Sequence, residues 1–326
     1  MAQRVRPTSR RVAKKKASKP LSTTKSKRPV TTALPRSFAL MRETIRLLLS
    51  RWQVFAGLIV VIWSLLFLVV GGAQQLQYES LRDLAKIVSS EVYGGNYSVW
   101  VETAVLVTSV VGGGLNVILS EGQQIYTILL YMFTGLVTVW LLRHMVAGSN
   151  VRLRDGLYSA GAPIASIVVL GFIAMVQLLP AVLGTLIISS AKASGLLDGL
   201  WLSSVFFGVW LLSAVITLYL LMTTFFASII ATIPGTYPIT AFRQANRLLA
   251  GKRLSVFLRI VWLTVVVIVA LVILVAPVIF VDTLVSSEWL PFVAALLQMI
   301  TIGLSVVSVS YIYVLYRKLI DASTGS

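Results

Sequence analysis

The stretch TYPITAFRQANRLLAGKRLSVFLRI, residues 236–260, separates two long runs of almost entirely apolar residues. It contains no acidic residue and five basic ones, which are Arg243, Arg247, Lys252, Arg253 and Arg259. A basic segment between two apolar runs is typical of a cytoplasmic turn between membrane spans. The same charge also favours the binding of an anionic ligand, so the stretch is both a topological marker and a candidate site.

The composition indicates a membrane protein. Of the 326 residues, 57% are hydrophobic and 12% are charged, and the mean hydropathy is +0.90. Soluble domains are about half apolar. The absence of cysteine excludes disulfides and thiolate metal sites, and the single histidine, His144, argues against a histidine-ligated metal centre or a serine–histidine triad. The sequence therefore predicts no catalytic set, no metal and no cofactor.

Six segments reach the roughly 20 residues that an α-helix needs to cross a bilayer. They lie at about 52–72, 124–142, 160–186, 200–224, 256–281 and 291–316. Each segment is apolar on all sides, and the one charge inside them is Arg259. We predict an all-α membrane protein with a six-helix transmembrane domain over 37–321 and a short tail over 322–326.

Residues 1–36 are rich in Lys, Arg, Ser, Thr and Pro and contain no aromatic residue. Such a segment buries too little apolar surface to offset the entropy of ordering it, so we predict a disordered, basic cytoplasmic tail. Anionic lipid is its expected partner. Contact with nucleic acid or the ribosome is the alternative, for which the sequence has the charge but not the aromatic residues that stack on bases.

The distribution of charge predicts the orientation. With the N-terminus inside, the cytoplasmic segments hold 25 of the 28 Lys and Arg and three of the 11 acids. This bias predicts a bacterial cytoplasmic (inner) membrane protein with both termini in the cytoplasm. The apolar stretch Thr103–Leu119 would reverse the bias if it spanned, so we interpret it as an interfacial or re-entrant element on the outer side.

The basic stretch 236–260 has a partner earlier in the chain. Arg42, Arg46, Leu47 and Leu48 align with Arg243, Arg247, Leu248 and Leu249, and a looser third copy begins at Asn150. The spacing around Arg243 predicts an amphipathic helix from about 238 to 250, started by Pro238 and ended by Gly251. We therefore expect three transmembrane hairpins, each preceded by a cytoplasmic interfacial helix.

Two groups of residues are candidate sites. The first is basic and is expected to contact lipid headgroups; it comprises Arg42, Arg46, Arg243, Arg247, Lys252 and Arg253. The second is a polar, uncharged group inside the spans, comprising Gln177, Gln298, Thr301 and Ser305. Hydrogen bonding between helices explains the second group better than a transport path does, because no ionisable residue lies near the middle of a span.

The stretch PITAFRQANRLLAGKR and the terminal YVLYRKLID carry a family resemblance. The layout over about 37–321 resembles uncharacterised bacterial six-helix integral membrane proteins and the membrane domain fused to some glycerophosphodiester phosphodiesterases. The resemblance implies a topology and no catalytic residues, since the chemistry of those fusions resides in a separate soluble domain.

These observations favour a non-enzymatic scaffold or accessory protein whose basic cytoplasmic face contacts anionic lipid or a protein partner. The alternative is a transporter or channel for a small or lipid-like solute, which the internal repeats favour.

Overall fold

The computed structural model describes residues 35–69, 120–149, 151–196, 200–233, 235–285 and 292–324. Nearly all of the predicted disordered tail, and the stretch Thr103–Leu119, lie outside the described residues. The regular secondary structure of the described part is entirely α-helical. Its helices are α1 (Ser37–Ser50), α2 (Trp52–Val69), α3 (Glu121–Val146), α4 (Leu153–Ser159), α5 (Ile164–Ala193), α6 (Leu200–Ala231), α7 (Pro238–Leu249), α8 (Arg253–Val285) and α9 (Phe292–Thr324).

Six of these helices, α2, α3, α5, α6, α8 and α9, are long and apolar enough to cross a membrane by length and composition. The predicted all-α architecture with six long apolar helices is confirmed, and it is consistent with a multi-pass membrane protein. The three short helices α1, α4 and α7 each come directly before a long apolar helix in the chain.

Several long helices extend further than the sequence windows predicted. Helix α6 continues to Ala231 and α9 to Thr324, past the predicted span ends at 224 and 316. A bilayer core fixes only about 30 Å of helix length, so packing against the rest of the chain decides where such a helix stops.

At its start, α3 has a capping box in which the Ser120 hydroxyl accepts from the Gln123 amide and the Gln123 side chain accepts from the Ser120 amide.

Helix α9 lies at the centre of the core. It packs against α1, α3, α6, α7 and α8. Every side chain over 311–316 is buried, including Tyr311 and Tyr316. On α2, the Trp63 indole Nε1 donates to the Ala295 carbonyl over 2.8 Å. The core is therefore built around one helix whose C-terminal half is enclosed by several others.

Helices α5 and α6 form a partly separate unit. Within the described residues, α5 packs most extensively against α6. Ile188 and Ala191 of α5 form a small apolar cluster with Phe206 and Trp210 of α6. Residues over 222–231 of α6 belong instead to the main core. One half of α6 thus joins the helix pair to the rest of the molecule.

Candidate functional site

Helix α7, which lies within the basic stretch 236–260, exposes its two arginines. Ala241, Ala245 and Leu249 recur every four residues and are fully buried, whereas Arg243 and Arg247 are exposed. Pro238 occupies the first helical turn, where its missing N–H costs no hydrogen bond. Gly251 adopts a φ of 78° just after the helix, a conformation that glycine takes without a Cβ clash. The predicted helix is present, and its two arginines face away from the core.

Helix α1 places its arginines in the same way. Leu40, Met41 and Thr44 are buried, and Arg42 and Arg46 are exposed. The one acid of this helix, Glu43, accepts from the Lys318 ammonium of α9 over 3.0 Å. Because Glu43 is engaged with α9, it is not dedicated to the arginines beside it.

The remaining two predicted lipid-contacting residues are Lys252, in the turn between α7 and α8, and Arg253, the first residue of α8. Lys252 is half-exposed, and the exposed Arg253 donates through its guanidinium to the Asn246 side-chain oxygen. Arg253 is therefore held over the C-terminal half of α7, close to the turn.

The three short helices share one pattern of burial. Counted from the residue before each helix (Arg36, Arg152 and Tyr237), the fifth and ninth residues are buried in every case. These pairs are Leu40 and Thr44, Gly156 and Ala160, and Ala241 and Ala245. For α1 and α7 the register is the one that the sequence repeat predicts. For α4, the buried positions show how its residues align with those of α1 and α7, an alignment that the sequence alone left open.

Two other basic residues hold elements together. Arg143, at the end of α3, donates to the Thr232 carbonyl over 3.0 Å and to the Thr232 hydroxyl over 2.8 Å, just past the end of α6. Arg259 of α8 donates to the Pro35 carbonyl over 3.2 Å and 3.0 Å, just before α1. Sequence reasoning did not identify these roles, because the partners are 89 and 224 residues apart and no periodic pattern connects them.

The polar residues predicted inside the spans are distributed over two helices. The Gln177 side-chain oxygen of α5 accepts from the Thr224 hydroxyl of α6 over 2.7 Å. Thr224 was not predicted, although its position inside an apolar run was a signal. The Gln177 contact is a hydrogen bond between helices, the kind of interaction that commonly joins helices in membranes.

The other three predicted polar residues lie on α9. Thr301 is exposed, and its hydroxyl donates to the Leu297 carbonyl of its own helix over 2.8 Å. Ser305 is half-buried. The Gln298 side-chain oxygen is buried and has no hydrogen-bond partner among the described residues. Of the four predicted polar residues, Gln298 is the one with a buried side-chain oxygen that lacks a hydrogen-bond partner; among the described residues the hydroxyls of Thr217 and Tyr311 share this property.

The described residues contain no group of three or more His, Cys, Asp or Glu side chains placed to hold a metal ion. His144 stacks on Trp140 with ring centroids 3.9 Å apart, and its Nδ1 lies 3.0 Å from the Trp140 carbonyl oxygen. His144 is thus packed against the preceding turn of its own helix.

Comparisons with protein-family models, with curated proteins and with solved structures find no match to this chain. The resemblance to six-helix membrane proteins and to the membrane domain of phosphodiesterase fusions therefore stays a prediction from the sequence.

Proposed function

We propose that this chain is a multi-pass protein of a bacterial cytoplasmic membrane that serves as a non-enzymatic scaffold or accessory protein. Its basic face contacts anionic lipid or a protein partner in the cytoplasm, where both termini lie. The six long helices form three hairpins, and a short interfacial helix precedes each hairpin.

The contacts of the three short helices support this proposal, because together they favour a common end of the helix bundle for all three. Glu43 of α1 meets Lys318 near the end of α9. Gly156 of α4 lies against Leu141 and Trp140 near the end of α3. Helix α7 follows α6, and Thr232, just past the end of α6, accepts from Arg143 at the end of α3. Phe226 near the end of α6 lies beside Tyr316 near the end of α9, with ring centroids 6.5 Å apart. The exposed arginines of α1 and α7 are therefore collected at one end.

Contacts between consecutive long helices support the hairpin arrangement. The Gln123 side-chain amide near the start of α3 donates to the Val69 carbonyl at the end of α2 over 3.0 Å. In α5 and α6, Gln177 meets Thr224 whereas Ile188 lies with Phe206, so the two helices run in opposite directions. A helical hairpin consists of two consecutive helices that run in opposite directions and contact each other near the segment that joins them.

The physical chemistry of such an end favours anionic lipid. A cation near an anionic membrane surface gains about 1 kcal/mol. Arginine adds planar, paired donors that match the oxygens of a phosphate. Because α7 contains no acidic residue, its arginines keep their attraction for external anions.

Photocrosslinking in native membranes tests this proposal. We would replace Gln244, which is exposed between the two arginines of α7, with a photoreactive phenylalanine analogue. We expect crosslinks enriched in anionic lipid or in one protein species. The control position is Leu212, an exposed apolar residue of α6, whose crosslinks should follow the bulk lipid composition. If position 244 also yields only the bulk composition, the proposal is wrong.

A transporter or channel for a small or lipid-like solute is the second candidate, and the buried, unpartnered oxygen of Gln298 favours it. The test uses a Gln298→Cys variant, since the chain has no cysteine of its own. If the protein is a scaffold with no water-filled path, we expect no reaction with a membrane-impermeant thiol reagent from either side. Rapid reaction would support a water-filled path and count against the scaffold.

A further inference from the structure

We propose that α1 and α7 each carry one binding site for an intact anionic phospholipid, and that α4 carries none. This inference depends on the proposed contact between the basic end and anionic lipid. It specifies the ligand, the residues that hold it and the number of sites in each chain.

The common register of the short helices identifies the sites. The third, seventh and eleventh residues, counted from Arg36 or Tyr237, are four apart and so lie along one side of a helix. In α1 these residues are Phe38, Arg42 and Arg46, and in α7 they are Ile239, Arg243 and Arg247. All six are exposed. Each helix thus presents a large apolar side chain followed by two arginines along one exposed stripe.

Helix α4 has the same buried positions as α1 and α7, but different residues along the exposed stripe. The equivalent positions are Arg154 and Tyr158 in α4 and Ala162, which lies past the end of this short helix. Its single stripe arginine therefore stands where the other two helices have the apolar residue, and no second arginine follows one turn later. Arg152, two positions before Arg154, does not share a helix face with it, so the two arginines do not form a pair that one phosphate could bridge.

The chemistry of the stripe selects a phospholipid. Two guanidinium groups one turn apart provide forked donors for the oxygens of one headgroup phosphate. The apolar residue one turn before them is 74% exposed for Phe38 and 60% exposed for Ile239. In an interfacial helix such side chains insert at the boundary between headgroups and acyl chains. Free phosphate offers nothing to this apolar residue, whereas a lipid covers it.

The charges around each arginine pair support the binding of an anion. Helix α7 has no acid. In α1, Glu43 is paired with Lys318 at 3.0 Å, so that carboxylate is already compensated by a cation from α9. Both pairs of arginines are consequently left with a net positive field toward an approaching headgroup.

Native mass spectrometry of the full chain tests the inference. The chain would be purified in a mild detergent and supplied with phosphatidylglycerol or, separately, phosphatidylcholine. We expect wild type to retain two phosphatidylglycerol molecules. The R42Q/R46Q and R243Q/R247Q variants should retain one each, and the fourfold variant none. The control R152Q/R154Q at the start of α4 removes the same charge and should retain two.

The outcomes separate this inference from the proposed function. If the R152Q/R154Q variant loses a lipid as the others do, total charge rather than a paired site decides binding, and the inference is overturned while the basic lipid-contacting face stands. If both arginine-pair variants retain two, the sites are elsewhere. If wild type retains phosphatidylcholine equally well, the lipid part of the proposed function fails as well.

Two further arms test the source of the phosphate and the apolar contact. Inorganic phosphate in excess should not displace the bound lipid, and displacement would contradict a site built for an intact lipid. Phe38→Ala and Ile239→Ala should each reduce retention of one phosphatidylglycerol molecule by several-fold. All these positions are exposed, and unchanged thermal unfolding of each variant would show that the fold is retained.

Discussion

Gly184 of α5 lies opposite Ser213 of α6 with no room for a larger residue. A Cβ at position 184 would lie 2.0 Å from the Ser213 hydroxyl oxygen and 2.9 Å from its Cβ. We expect Gly184→Ala to separate α5 from α6 and to lower the free energy of unfolding by about 1–3 kcal/mol, the usual effect of overpacking. Thermal unfolding in detergent measures the loss.

Gly208 of α6 is the control for this substitution, because nothing lies within 4 Å of a Cβ built there. Gly208→Ala should leave stability unchanged or raise it by up to about 1 kcal/mol through helix propensity. Equal effects at positions 184 and 208 would contradict the close approach of the two helices.

Arg143 is expected to stabilise the junction of α3 and α6. Arg143→Gln removes the two guanidinium bonds to Thr232, and hydrogen bonds that involve a charged group contribute roughly 1.5–3 kcal/mol. We expect a loss of stability of about that size by thermal unfolding. The exposed Arg243→Gln is the control and should change stability by less than about 0.5 kcal/mol. A loss as small for Arg143→Gln would mean that the contact is not stabilising.

The same two arginines show what a sequence discloses about single residues. The exposure of Arg243 follows from the helical spacing of its apolar neighbours, which the sequence displays. The role of Arg143 depends on Thr232, a residue 89 positions away, and nothing in the local sequence distinguishes Arg143 from any other charge at a span end. Local periodicity predicts which way a side chain faces but not its long-range partner.

We expect apolar burial, more than its ion pair with α9, to hold helix α1 in place. Leu40 is fully buried, whereas the Glu43–Lys318 pair has side chains 43% and 35% exposed. Replacing a buried leucine with alanine costs about 2–5 kcal/mol, and a partly exposed ion pair contributes less than about 1 kcal/mol. We expect Leu40→Ala to detach α1 and Glu43→Gln to leave it docked.

Protection of a cysteine at Thr44, which is fully buried, measures this docking. A Thr44→Cys variant should react slowly with a thiol reagent in the wild-type and Glu43→Gln backgrounds and quickly with Leu40→Ala. Faster reaction with Glu43→Gln than with Leu40→Ala would show that the ion pair, rather than apolar burial, holds the helix.

At the scale of helices, hydropathy predicted the existence of the long elements and not their ends. The six apolar windows correspond to six long helices, because length and apolarity are local properties. The extension of α6 to Ala231 was missed although residues 225–231 are still apolar, because a span needs only about 20 residues and the predicted window 200–224 already supplied them. There Thr224 bonds Gln177 and Phe226 is fully buried, so tertiary contacts continue the helix.

For the whole molecule, the proposed orientation predicts which side of the membrane the basic end faces. Ala250 is exposed in the turn after α7. An Ala250→Cys variant, the only thiol in the chain, should react with a membrane-impermeant reagent in inverted vesicles and not in intact cells. Leu196 is exposed just after the C-terminal end of α5, which is opposite the end that follows α4. A Leu196→Cys variant should therefore show the opposite result. Labelling of position 250 in intact cells would overturn the orientation.

Selection of anionic lipid by the basic end is measured by electron spin resonance of spin-labelled lipids in reconstituted membranes. We expect phosphatidylglycerol to be immobilised at the protein boundary in preference to phosphatidylcholine. We also expect salt to weaken this preference and the R42Q/R46Q/R243Q/R247Q variant to lose it. Equal immobilisation of the two lipids by wild type, or a preference that survives all four substitutions, would show that the basic end does not select anionic lipid.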